Sequence, residues 1–92
     1  MINGDVNDFL NVLYSGQGII YKFDNKKYWF QGYSTDTGFH MEIFQYQPRD
    51  DNFLWESNKK TVKDCYDDFL SSKIFNGKTF WDVENEIEWL DE

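Results

Sequence analysis

Apolar residues recur at helical spacing near both ends of this chain and alternate in between. Val6, Phe9, Leu10, Leu13 and Tyr14 fall at i, i+3, i+4, i+7 and i+8, one face of a helix. Asp5 stands at the N-cap position, and Asp8 places negative charge at the helix's positive end. Gly16 and Gly18 follow as stop signals. The period then changes to two. Residues 19–23 and 27–33 read as strands around a tight turn at Asn25-Lys26, and residues 39–47 as a third strand beyond a turn around Thr35-Asp36-Thr37-Gly38. Pairing Asp24 with Lys27 and Ser34 with Phe39 puts Ile19, Tyr21, Phe23, Tyr28, Phe30, Phe39, Met41 and Ile43 on one face. Two hairpin registers set separately agree on that face, which predicts an antiparallel meander. Pro48 ends the third strand because it has no N–H for a ladder, and residues 53–56 read as a short fourth strand.

Helical spacing then returns. Thr61-x-x-Asp64 has the form of a capping box and opens the stripe Val62, Cys65, Tyr66, Phe69 and Leu70. Asn76-Gly77 breaks the chain. Thr79-x-x-Asp82 then starts a last helix on which Phe80, Val83, Ile87 and Leu90 align, with Trp81, Asp82, Asn85, Glu88 and Trp89 on the opposite side. The expected fold is a single α+β domain over residues 1–92. It has a three- to four-stranded antiparallel meander, one N-terminal helix and two C-terminal helices, with helices on one sheet face.

Charge changes this picture more than composition does. From Asp64 onward nine carboxylates face only Lys73 and Lys78, a balance of −7, whereas the first 63 residues carry eight acids and seven bases. Almost all of the formal charge of −8 therefore sits on the C-terminal third. Such a surface repels nucleic acid and membranes and attracts basic protein surfaces. The chain is rich in rings, with 9 Phe, 6 Tyr and 4 Trp, which argues for a packed core and against disorder. Cys65 is the sole cysteine, which fits a reducing, cytoplasmic setting. The first residues show no signal-peptide pattern, and no apolar run reaches the ~20 residues that span a bilayer.

Little points to catalysis. His40 stands on a strand with no serine or cysteine motif beside it, and Cys65 falls on a core stripe, where a thiol acts as a small hydrophobe. Asp50-Asp51 and Asp64-x-x-Asp67-Asp68 lack calcium-loop spacing, so no metal or other cofactor is expected. Gly16-x-Gly18 lies between helix and strand, the reverse of a phosphate-binding turn. The far sheet face would show Ile20, Lys22, Trp29, Gln31, Tyr33, His40, Glu42, Phe44 and Tyr46. Aromatics on an open sheet can stack bases, but the cations that phosphates need are too few here. Packing under another segment, or against a second copy, is the simpler use of that face.

The segment Ile74-Phe75-Asn76-Gly77-Lys78-Thr79-Phe80-Trp81-Asp82-Val83-Glu84-Asn85-Glu86-Ile87-Glu88-Trp89 resembles the ending of short uncharacterised proteins of Firmicutes and their mobile elements, a likeness that implies no activity. Size, charge and element order are similar to small phage-borne inhibitors, including some anti-CRISPR proteins and DNA mimics. That likeness is architectural and carries over no functional residue. Together with the acidic C-terminal third and its tryptophans it leads to the expectation of a non-enzymatic, acidic protein-binding module, acting in the host cytoplasm if phage-encoded, on a basic, nucleic-acid-binding protein. The expected contact residues are Asp64, Asp67, Asp68, Trp81, Asp82, Glu84, Glu86, Glu88 and Trp89. Carboxylates would stand in for phosphates and the tryptophans would anchor. The alternatives are a bacterial adaptor domain that homodimerises through the aromatic sheet face, and an immunity protein against a basic nuclease toxin.

Overall fold

A computed structural model describes residues 1–90 of the chain. Helix α1 (Val6–Ser15) is followed by strands β1 (Ile19–Phe23), β2 (Lys26–Thr35), β3 (Gly38–Gln47) and β4 (Arg49–Lys59). Then come α2 (Val62–Ser71), a short α3 (Phe80–Val83), a 3-10 turn (Glu84–Glu86) and β5 (Glu88–Leu90). The strands form one antiparallel sheet in the order β4-β3-β2-β1-β5. Among the described residues no helix is long and apolar enough to cross a membrane.

The local signals act as physical chemistry requires. Asp5 Oδ1 accepts hydrogen bonds from the Asn7 and Asp8 amides, and Gly16, at φ 81°, closes α1 with its amide bonded to the Leu13 carbonyl. Thr61 Oγ1 accepts from the Asp64 amide at the start of α2. Asn76 and Gly77 both adopt positive φ in a turn that brings the Phe75 and Lys78 backbones into mutual hydrogen bonds. Pro48 sits at the tip between β3 and β4, where no ladder donor is needed.

The eight residues expected to face the helices are all buried. They meet Phe9, Leu10 and Leu13 of α1, Cys65 and Phe69 of α2, and Phe75, Phe80, Val83 and Ile87. Phe69 is a hub, with its ring centroid 5.5–6.4 Å from those of Phe30, Trp55, Phe75 and Phe80. Such pairs each add about 0.5–1.5 kcal/mol beyond burial. The Cys65 sulfur is wholly buried, 3.4 Å from the Phe39 carbonyl oxygen.

Three expectations need correction. The β1–β2 turn is Asp24-Asn25, both residues at positive φ, and Phe23 pairs with Lys26 rather than Asp24 with Lys27. A two-residue hairpin favours this mirror-image turn because its twist matches the strands. The resulting pairing is displaced by two residues, which leaves every side chain on its expected face. Strand β4 is far longer than residues 53–56, running from Arg49 to Lys59. The last helix stops at Val83 and does not reach Leu90. Continuing it would put Glu84 over Glu88 and Asp82 over Glu86, like charges at i,i+4. Instead Ile87 drops into the core, and Glu88–Leu90 pairs with the otherwise open edge of β1. Ile2 seals the outer side of β5, bonding to the Ile87 carbonyl at 2.8 Å and to the Trp89 amide at 2.9 Å.

Candidate functional site

The acidic residues singled out from sequence lie on α2 and on the path from α3 to β5. Asp64 and Asp67 are exposed on α2 and Asp68 is half-buried, its carbonyl accepting from the Ser72 hydroxyl at 2.6 Å. Lys63 pairs with Asp67 at 2.7 Å, one turn along the helix. Its ammonium is held above the ordinary lysine range, chiefly by that hydrogen bond. Asp82 Oδ2 accepts from the Thr79 amide at 3.0 Å and from the Thr79 hydroxyl at 2.9 Å. Those two bonds hold its carboxyl below the usual carboxylate range, so Asp82 stays charged in mild acid. Glu84 meets the Met1 amino group at 2.8 Å, and Glu88 accepts from the Asn3 side chain at 2.7 Å. Glu86 is exposed and forms no ion pair among the described residues. Asp91 and Glu92, counted in the acidic balance, lie outside the described residues.

The two tryptophans have different surroundings. Trp81 on α3 is 55% exposed, more than any other large apolar side chain among the described residues. Trp89 does not share its side of a helix, because it belongs to β5. It lies opposite Tyr21 on the helix-covered face, edge-on to Phe9 at 5.4 Å, and its ring fills the space beside Gly4.

Among the described residues no helix lies over the other face of the sheet, which divides into two regions. Toward the β3–β4 turn, Trp29, Phe44 and Phe53 form a ladder across β2, β3 and β4. Trp29 stacks on Phe44 at 5.8 Å, and Phe44 meets Phe53 edge-on at 6.2 Å. Trp29 and Phe53 are 39% and 47% exposed.

The second region is a polar lattice. Gln31, Glu42 and Glu56 stand in one cross-strand row, with Tyr33, His40 and Asn58 in the next. His40 and Glu42 are each only 6% exposed although no helix or strand among the described residues covers them, because these neighbours close around them. His40 Nε2 lies 2.7 Å from Glu42 Oε1, and His40 Nδ1 lies 2.7 Å from Asn58 Oδ1. Gln31 Nε2 donates to Glu42 Oε2 at 2.7 Å. Glu56 Oε1 is 4.0 Å from His40 Nε2. Sequence reasoning placed His40 and Glu42 on this face but missed the grouping. The signal available was His40-x-Glu42, the spacing that aims two side chains the same way from one strand. Glu56 and Asn58 repeat that spacing, but only the β3–β4 register shows that they stand opposite.

The chain matches no protein-family model, and the comparisons found no curated protein and no solved structure similar to it.

Proposed function

We propose that this protein is a non-enzymatic, acidic binding module whose partner is a protein with a basic surface of the kind that holds nucleic acid. Trp81 carries the reading: an indole 55% exposed, next to a carboxylate that stays charged, in a region of strong negative balance. A large ring left in water is an anchor waiting for a pocket, and carboxylates around an anchor select a cationic rim. Asp64, Asp67, Asp68, Asp82, Glu84, Glu86 and Glu88 supply the charge. Trp89 holds β5 in place instead of reaching outward. An inhibitor carried by a phage or mobile element, with carboxylates in the place of phosphates, fits this chemistry. It would act in the host cytoplasm.

The test is kinetic. Binding to the captured basic partner is followed at several salt concentrations for the wild type, for Asp64→Lys with Glu86→Lys, and for Trp81→Ala. Charge reversal should slow association at least tenfold at low salt, since exposed charges act by steering. Trp81→Ala should speed dissociation with little change in association. Rates indifferent to salt and to both reversals would remove the reading.

The ladder of Trp29, Phe44 and Phe53 favours a second reading, an adaptor domain that pairs with its own copy through the open sheet face. Sedimentation over a concentration series decides it. A monomer at every concentration, unaltered by Trp29→Ser, rules it out.

A further inference from the structure

We infer that His40, Glu42 and Glu56 form a binding site for a divalent transition cation of the zinc class. His40 Nε2 and one oxygen from each glutamate lie within 4.8 Å of one another. One imidazole nitrogen and two carboxylate oxygens make a three-ligand set that such ions accept, with the remaining position left for water.

Three features of the surroundings point to a cation. The first is charge. Glu42 and Glu56 are direct cross-strand partners, and like charges in that position repel. Among the described residues neither forms an ion pair with a lysine or arginine, Arg49 near Glu42 being paired with Asp51, and His40 is the ion-pair partner of both. The second is orientation. A metal-bound histidine characteristically gives its other ring N–H to an oxygen, and Asn58 Oδ1 is placed 2.7 Å from Nδ1 to take it. Gln31 likewise holds the second oxygen of Glu42 and leaves Oε1 aimed at Nε2. Both buried ligands are thus fixed from outside, and both come from the regular central part of the sheet. The third is access. The Glu56 side chain is 49% exposed, and a shallow hollow of about 190 Å³ along Phe44 and Phe53 reaches the edge of Glu42, whose side chain is 9% exposed, so an ion approaches from the Glu56 side.

Loading needs little movement. The 2.7 Å between Nε2 and Oε1 is the length of a hydrogen bond. Ligand atoms about 2.0 Å from a tetrahedral ion sit roughly 3.3 Å apart, so the pair opens by roughly half an ångström. Glu56 closes from 4.0 Å by a similar amount. The cation replaces the proton between Nε2 and Oε1, and that proton leaves to solvent. The bound ion would tie β4, the outer strand, to β3.

The protein freed of metal by chelator is titrated with Zn²⁺ by calorimetry and with Co²⁺ by visible absorption, and its melting temperature is followed with each. One equivalent should bind, with a cobalt d–d band of a four- or five-coordinate site and a rise in melting temperature. Glu56→Gln removes one ligand from a half-exposed position without disturbing the core. It should weaken binding at least tenfold while leaving the metal-free melting temperature within a few degrees. His40→Gln should abolish the cobalt band. Calcium at the same concentration should give no comparable shift, because it gains nothing from imidazole. Metal binding unchanged by Glu56→Gln, an equal effect from calcium, or no cobalt band at millimolar metal would each overturn the assignment.

Discussion

Tyr21 carries the sharpest local tension in the molecule. Its ring is fully buried, stacked on Tyr28 at 5.1 Å and edge-on to Phe9 at 6.4 Å. Its hydroxyl has no hydrogen-bond partner among the described residues. A buried, unpaired hydroxyl costs about 1–3 kcal/mol, whereas removing it leaves an equally good ring. Tyr21→Phe is therefore expected to stabilise the fold by about 1 kcal/mol, measured by urea unfolding at pH 7. Burial, and then the neighbouring Tyr28, push the Tyr21 phenol well above its ordinary value of 10.0. The folded state keeps this proton where the unfolded chain releases it. The associated stability is complete below about pH 10 and is lost as pH rises beyond it. Tyr28 is raised as well, chiefly by burial and secondarily by Asp24, so the variant should decline less steeply above pH 10 but not become flat. A Tyr21→Phe protein less stable than wild type at pH 7 would mean that the hydroxyl has a partner after all.

At the scale of elements, what was readable in the sequence followed from local rules. The caps of α1 and α2, the stripe of α2 and the parity of β1 to β3 rest on spacing and on short-range hydrogen bonds, and all are present. What was not readable depended on distant chain. Glu88–Leu90 becomes a strand because β1 has an unfilled edge beside it and Ile2 on the other side, neither visible in a helical periodicity that Val83 and Ile87 satisfy equally well. The same holds for the candidate sites. The exposure of Trp81 was legible from its side of the expected last helix, because that part of the helix forms, but the inward turn of Trp89 was not, because it depends on β5. The His40 lattice needs two strand registers at once. Gly38 teaches a related lesson. In the sequence it reads as a turn residue, yet a Cβ there would collide with the Lys59 carbonyl oxygen and come 2.8 Å from the Lys60 Cα. It is glycine because β4 leaves the sheet across it. Gly38→Ala should cost more than about 2 kcal/mol, with hydrogen-exchange protection lost first along the β3–β4 pairing. Gly77→Ala meets no neighbour within 4 Å and carries only the strain of its positive φ, so its cost should stay near about 1 kcal/mol. Equal costs for the two, or a Gly38→Ala loss spread evenly over the sheet, would remove this account of β4.

At the scale of the whole molecule, the formal charge of −8 acts against the fold. Exposed pairs such as Arg49–Asp51 and Lys63–Asp67 do little to offset it, since solvent screens their attraction and holding two long side chains together costs entropy. The carboxylates of α2 and of the α3–β5 path repel one another through water, and that repulsion fades as salt shortens its range. The Debye length falls from about 30 Å at 0.01 M to about 10 Å at 0.1 M. Sodium chloride over that range should therefore raise the melting temperature of the metal-free protein by roughly 2–4 °C, as expected for about 0.5 kcal/mol in a domain of this size. Asp64→Asn with Glu86→Gln removes two exposed charges that form no ion pair among the described residues. The double variant should melt higher at 0.01 M salt and gain less from added salt. If salt instead lowers the melting temperature, attractive pairs outweigh repulsion and the acidic surface costs the fold nothing. The comparison then bears on function. A surface that lowers stability for the free protein is explained if the same two carboxylates speed capture of a basic partner, so the variant that gains stability should be the one that associates more slowly.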